Sequence, residues 1–303
     1  MFDFYIQYEY WFAAVQLGMA MLGMGATLRV RDFAAVAKNP RGILVGVALQ
    51  IIGVPALAAL FLYAFELDTG VAIGLALCAA IPGGTMSNVF TFLGRGHVAL
   101  SIALTGITTL ACLITTPLIL TLLVAQHMPA DFVMPAGQIA TEIALILLLP
   151  LILGMVFLEL FPAQAPSFSK GCIRTSIFVI LLIIIGATGS GRVDYEQYGQ
   201  FNLLMLFGFL MILATASWLL PHVLGVSRQD TTAINIEATV RNGNLGLLIK
   251  ASLFPAVVGT PDPIGDNVLF TVLIYGGAAL LLGVAQIYIH KFRNRAEALN
   301  YPG

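Results

Sequence analysis

Residues 79–110 read AAIPGGTMSNVFTFLGRGHVALSIALTGITTL, an apolar run broken in its middle by Pro82-Gly83-Gly84. Proline lacks a donor N–H and glycine is a poor helix former, so no continuous helix passes through. Three polar side chains, Thr85, Ser87 and Asn88, follow at once, and the apolar run then resumes without a loop. In hydrocarbon, broken backbone is tolerated only where protein buries it or where it lines a wet cavity. A fold that accepts this stretch must enclose it. A broken helix with polar groups at mid-depth is a sequence pointer to a transporter binding site.

The surroundings of the break are hydrocarbon-like. Of the 303 residues, 59% are hydrophobic and 10% charged, and mean hydropathy is +0.95. Soluble domains are nearer a quarter charged, so the chain reads as an all-α polytopic membrane protein with the lipid bilayer as partner. A net charge of −1 offers no basic field, so no nucleic-acid partner is expected. Cys78, Cys112 and Cys172 lie in apolar runs without metal-ligand spacing and read as small buried hydrophobes. The start, MFDFYIQYEY, has no Lys or Arg, so it is not expected to be a cleaved signal peptide.

Apolar length and polar flanks predict nine spans: Tyr10–Leu28, Gly42–Ala64, Gly70–Leu93, Val98–Ala125, Pro135–Phe161, Gly171–Gly189, Gln200–Leu224, Thr231–Phe254 and Val268–His290. Residues 291–303 form a polar tail. Of the 14 Lys and Arg, 11 fall on one side: Arg29, Arg31, Lys38, Arg41, Arg95, Lys170, Arg174, Arg228, Lys291, Arg293 and Arg295. Arg192 and Lys250 fall on the other, among acids that include Asp3, Glu9, Asp131 and Asp266, and Arg241 lies within a span. The positive-inside rule then puts the N-terminus outside and the tail in the cytoplasm of a cell (inner) membrane. An odd span count agrees.

A second break, Arg241-Asn242-Gly243-Asn244, interrupts the eighth span as Pro-Gly-Gly interrupts the third. Spans one to four then match spans six to nine. The offset of five reverses direction, which makes an inverted-topology repeat. Around the breaks, Ser101, Thr105 and Thr108 or Thr109 recur at helical spacing on the fourth span. The plain reading of such hydroxyls is bonding to their own helix carbonyls. Glu237 and Arg241 lie inside IEATVRNGNLGLLI, and a mid-membrane charge costs at least ~3 kcal/mol on insertion scales. The plain reading of these two is a mutually neutral i, i+4 pair, but Asn242, Gly243 and Asn244 disrupt the same helix. Hydroxyls, an amide and one carboxylate are hard oxygen ligands that suit Na⁺ as a coupling ion, with no other cofactor implied. The half-helix beginning after Gly84 offers free N–H groups to an anion. The pattern suits cation-coupled uptake of a small organic anion.

PGGTMSNVFTFLGRGHVALSIALT resembles the fourth-helix motif of the bile acid:sodium symporters. NIEATVRNGNLG resembles that family's IE-x-x-x-Q-N-x-x-LA motif, and MLGMGATLRVRDF the opening of its second helix. The similarity runs over essentially the whole chain. It implies a nine-helix form lacking the first helix of ten-helix bacterial members, as in animal members, which explains a fifth span without a repeat partner. It also implies a panel domain (residues 10–28 and 135–190) and a core transport domain (42–125 and 200–290), crossing at two discontinuous helices. The first sodium site would use Ser87, Asn88, Ser101, Thr105 and Glu237. The second would use Gln50, Glu237, backbone oxygens near Ala238 and Val240, and a glutamine that is Arg241 here. Gly84, Thr85, Met86, Asn242 and Gly243 would meet substrate: bile acids, other steroid conjugates, pantoate or keto acids.

Arg241 is the departure that matters. Two like charges about 4 Å apart at an effective dielectric of about 20 repel by roughly 4 kcal/mol. Arg241 then acts as a built-in cation in the second site, pairing with Glu237 or Gln50, and at most one Na⁺ is coupled. Competition for Glu237 would weaken the first site. The alternatives are a sodium-independent or proton-coupled carrier, and an Arg241 that binds the substrate anion directly. An enzyme lacks a His-Glu-x-x-His or Gly-x-Ser-x-Gly motif. A channel is disfavoured by two breaks meeting at mid-depth. His97, His127, His222 and His290 fall near span ends, where solvated or capping roles are ordinary. Tyr5, Tyr8, Tyr10, Trp11 and Phe12 read as an interfacial belt. A monomer is expected.

Overall fold

The computed structural model describes residues 2–29, 40–124, 127–128 and 133–300, the stretch 294–300 as backbone only. Among these residues every regular element is helical. In chain order they are α1 (Asp3–Gly25), α2 (Pro40–Ala64, with a π-helical turn at Leu49–Gly53), α3 (Thr69–Ala80), α4 (Met86–Leu93), α5 (Val98–Val124) and α6 (Ala136–Leu160, with a π-helical turn at Ile143–Leu148). Then follow α7 (Ala165–Gly189), α8 (Tyr195–Tyr198), α9 (Gln200–Val223), α10 (Arg228–Thr239), α11 (Gly243–Leu253) and α12 (Pro263–Asn300). Six of them, α2, α5, α6, α7, α9 and α12, are each long and apolar enough to cross a bilayer. The chain is a multi-pass membrane protein.

Both expected breaks are present. The third predicted span divides into α3 and α4, and the eighth into α10 and α11. Four predicted limits, on three helices, move outward. α1 begins at Asp3 rather than Tyr10, α7 at Ala165 rather than Gly171, and α12 runs from Pro263 to Asn300 rather than Val268 to His290. Apolar length marks the hydrocarbon-facing part of a helix, whereas polar turns at its ends keep helical geometry beyond it. Arg31, Lys38 and Asp131, used in the charge count, and residues 301–303 of the tail lie outside the described residues.

Small residues set the packing. α1 lies against α6 and α7, and a Cβ on Gly25 would collide with the backbone of Leu151 and Gly154 on α6. α3 lies against α12, and a Cβ on Gly74 would press into Thr271. Lipid supplies no hydrophobic drive between helices, so close backbone approach and its van der Waals contacts replace it. α3 is buried along its length, as is α10 from Asp230 onward, so the two broken elements form the interior and the long helices surround them. The three cysteines are buried thiols, as read from the sequence.

Candidate cation and substrate site

The two breaks meet. Gly84 N–H donates to the Val240 carbonyl at 2.8 Å and Asn242 N–H to the Pro82 carbonyl at 2.9 Å, a single antiparallel bridge between otherwise helical arms. Each break thereby satisfies backbone groups that the other helix end exposes. The approach depends on glycine: a Cβ on Gly83 would overlap the Glu237 carboxylate, and one on Gly84 would come 2.9 Å from the Arg241 carbonyl.

Glu237, on the last turn of α10, is fully buried. Its Oε1 accepts from Ser87 Oγ of α4 at 2.5 Å, from Ser101 Oγ of α5 at 2.9 Å and from Thr105 Oγ1 of α5. Asn88 Oδ1 closes the group, 3.5 Å from Thr105 Oγ1. All five residues expected at the first sodium site are therefore together. Protons are short there. Ser87 Oγ also faces the Gly84 carbonyl at 2.5 Å, and Thr105 Oγ1 the Ser101 carbonyl at 3.0 Å, although each hydroxyl carries one proton. Glu237 Oε2 is buried without a hydrogen-bond partner. Oxygens in excess of protons around a buried carboxylate suit a bare cation. Thr108 takes the plain role instead, donating to its own helix at Leu104 O, 2.8 Å, and Thr109 Oγ1 has no partner.

Gln50 and Arg241 meet as well, on the opposite side of the crossing. The π-helical turn in α2 presents Gln50 Oε1 to Gly83 N–H at 3.2 Å and to Arg241 Nη1 at 3.3 Å. Arg241 Nη2 donates to the Ala79 carbonyl at 3.0 Å, and the guanidinium is buried. The space left beside these groups is ≈10 Å³, about one water. Two expectations need correction. Arg241 makes no salt bridge with Glu237 among the described residues, so the i, i+4 ion pair and a direct contest for the Glu237 oxygens are absent, while the two buried charges still act on each other through space. The reason is local: α10 ends at Thr239 and Val240 leaves helical geometry (ψ 87°), which rotates Arg241 away from the Glu237 face. Ala238 is buried in the last turn of α10, and the Val240 carbonyl is already engaged by Gly84 N–H.

A cavity of ≈310 Å³ lies at the crossing. Gly84, Thr85, Met86, Asn242 and Gly243, the five residues expected to meet substrate, all line it, opposite Ile180 and Ile184 of α7 and Gly276 and Gly277 of α12. The N-terminal ends of α4 and α11 both open on it, and Asn242 caps α11 through its side-chain oxygen, 3.4 Å from Leu245 N. Two helix N-termini converging on a mostly apolar cavity offer N–H groups to an anion and apolar walls to its body.

One cluster escaped the sequence reading. Glu9, Arg192, Lys250 and Asp266 are not scattered loop charges. Lys250 Nζ, 0% exposed, lies 2.9 Å from both Glu9 oxygens. Arg192 Nη1 lies 3.0 Å from Glu9 Oε1, and Arg192 Nε bonds Asp266 Oδ1. The signal was present in GLLIKASLF, where a lysine stands alone in an apolar run. His290 also differs from expectation. It is buried between Asn235 and Thr232, because α12 continues past it. Within the supposed belt, Tyr5 is buried against Gly186 while Trp11 is exposed.

Helices broken at a shared buried crossing, with an oxygen cluster on one side and a cavity beside it, define a membrane transporter architecture. A family model for the sodium bile acid symporter family matches residues 14–195, and the chain belongs to that family, one of transporters rather than enzymes. The chain is 29% identical over 257 residues to the uncharacterised sodium-dependent transporter YocS of Bacillus subtilis, covering 84% of this chain and 78% of that protein. It is 30% identical over 272 residues to a probable chloroplastic sodium/metabolite cotransporter, BASS2, of Oryza sativa, covering 88% of this chain and 62% of that one. It is 27% identical over 287 residues to the sodium-dependent organic anion transporter of Bos taurus, covering 93% and 73%.

Proposed function

We propose that the protein is a secondary transporter that carries a small organic anion by alternating access and couples at most one Na⁺ to it. The observation that carries this reading is the Glu237 cluster: three hydroxyls from two other helices on Oε1, and a buried Oε2 without a partner. Ser87, Asn88, Ser101, Thr105 and Glu237 hold the ion. Gly84, Thr85, Met86, Asn242 and Gly243 hold the anion's charged group, with its apolar body between α7 and α12. Binding Na⁺ ties α4, α5 and α10 together at the crossing. It thereby shapes the two helix N-termini that receive the anion, which is how the ion's gradient is transmitted to the substrate.

Arg241 takes the place of a second ion. Its guanidinium has the oxygen partners a cation would seek, Gln50 Oε1 and the Ala79 carbonyl, and the space beside it is about one water. Arg241 also borders the substrate cavity, but its guanidinium is already engaged by Gln50 and Ala79, so we favour the built-in cation over direct substrate binding. Nine membrane crossings, an inverted repeat, panel and core bodies, an outside N-terminus and a monomer complete the proposal.

Uptake into proteoliposomes with sodium replaced by choline tests it. A thermal-shift screen of carboxylates and sulfates, run with and without sodium, first supplies the substrate, since a ligand of the folded state stabilises it. Transport that rises with sodium and saturates as one ion supports the reading. Full transport in choline removes the ion from it, and single-channel currents remove the carrier.

A further inference from the structure

We propose that Glu9, Arg192, Lys250 and Asp266 form a gate that closes the substrate cleft on the side of the membrane bearing Glu9, and that the gate is charge-balanced on each of its two leaves. The proposal rests on the two-body alternating-access reading above.

The four charges join two sets of elements. Glu9 is on α1, and Arg192 follows α7, which packs along α1. Lys250 is on α11 and Asp266 opens α12, which pack on each other. Lys250 lies seven residues beyond Gly243, roughly 10 Å along α11 from the crossing, and three residues past Leu247, which lines the cavity. The cluster thus sits over one end of the cleft between α7 and α11–α12. Burial in the closed state is deep on both leaves, with Lys250 at 0%, Glu9 at 5% and Arg192 at 9% exposure. A neighbouring contact crosses the same boundary: Ser252, two residues past Lys250, donates to Glu142 Oε1 of α6 at 2.8 Å and accepts from Gln138 Nε2 at 2.8 Å.

Opposite charges alternate across the closure. Lys250 reaches over to Glu9, and Arg192 reaches over to Asp266. Within each leaf the charges also cancel, because Glu9 has Arg192 at 3.0 Å on its own side and Lys250 has Asp266 on its side. When the leaves part, each keeps a cation and an anion that can pair locally. No charge is then left naked in a low-dielectric cleft, and separating a buried ion pair is otherwise costly. A bond network meant only to fix one shape has no need of neutral halves. A cavity of ≈350 Å³ lined by Arg192, Asp262 and Asp266 lies at the cluster and gives water a route to it.

The test reads access to the cavity rather than transport. Ile184→Cys, on the cavity wall, is the reporter, and the three native cysteines are buried. A sulfonated, membrane-impermeant maleimide is applied separately to intact cells and to inverted vesicles carrying the full-length protein. The medium contains choline and no substrate, so a failure of the sodium reading leaves this result intact. Glu9→Gln or Lys250→Met should speed labelling from the Glu9 side by about tenfold or more, because one leaf then holds a charge without its cross-partner. Asp266→Asn, at the half-buried rim, should speed it by about threefold and spares the deep Glu9–Lys250 pair if the deeper variants fold poorly. The double exchange Glu9→Lys with Lys250→Glu decides the matter. It gives one leaf two cations and the other two anions, so closure strengthens and labelling from that side should fall below wild type. Labelling unchanged in the single variants, or an exchange variant that labels like wild type, overturns the gate and leaves a structural ion cluster.

Discussion

Two of the places where the described residues bury charge treat it in opposite ways. At the cluster of Glu9, Arg192, Lys250 and Asp266 every charge touches an opposite charge. At the crossing, Glu237 and Arg241 are four residues apart in sequence yet bond to neutral groups instead: hydroxyls for the carboxylate, an amide and a carbonyl for the guanidinium. A buried pair in contact has spent its electrostatics on its partner, whereas a buried carboxylate solvated by hydroxyls still has an oxygen to offer. The comparison separates charges that hold parts of the protein together from a charge kept for a ligand.

The strongest way to break that comparison is to remove the offered charge. Glu237→Gln should abolish coupled transport, a loss of about a hundredfold or more, because truncating a buried charge's role leaves its hydroxyl shell without an anion to neutralise the ion. Initial uptake rates check it, and an active Glu237→Gln protein would mean that the carboxylate is structural. Next in size is the crossing itself. Gly83→Ala drives a methyl into Glu237 and should lower stability by about 3 kcal/mol or prevent assembly, read as folded yield and melting temperature in detergent. A smaller effect separates two threonines on one helix. Thr105→Val should raise the sodium concentration for half-maximal uptake about tenfold, the worth of one charge-assisted hydrogen bond of about 1.5 kcal/mol. Thr108→Val should leave it within about twofold, because that hydroxyl serves only its own helix. Equal effects would erase the distinction drawn between them. The smallest expected change is Arg241→Lys, which keeps the charge and loses the two-pronged contact with Gln50 and Ala79. It should cost about 1 kcal/mol of stability and leave the sodium dependence unaltered.

Much of this was legible in the sequence for identifiable reasons. Pro82-Gly83-Gly84 interrupts a helix and Asn242-Gly243-Asn244 are poor helix formers, so both breaks were visible as local chemistry, although Gly243 and Asn244 open α11 rather than standing outside it. The oxygen cluster was visible because Ser101 and Thr105 share a helical face and because Glu237 stands in an apolar run. Gln50 was one of the two partners expected of Arg241, but that Glu237 is not its partner was not legible. An i, i+4 spacing implies contact only if the helix continues, and here α10 stops at Thr239 between the two residues. Nor was the second charge cluster. Glu9, Arg192, Lys250 and Asp266 are spread over more than 250 positions and meet only through tertiary packing. Counted for topology, they read as loop charges. The span limits misjudged His290, because the end of an apolar run was taken for the end of a helix that continues to Asn300.

The central claim is that Arg241 replaces one coupling ion while Glu237 keeps the other. It is tested most directly by the sodium dependence of thermal stability in wild type and in Arg241→Gln, with choline maintaining ionic strength. Above saturation, each tenfold rise in sodium adds about 1.4 kcal/mol for every ion that binds only the folded state. The account predicts a slope of about 1.4 kcal/mol per decade for wild type and about twice that for Arg241→Gln. A wild-type slope already corresponding to two ions, or an Arg241→Gln slope no steeper than wild type, would contradict it.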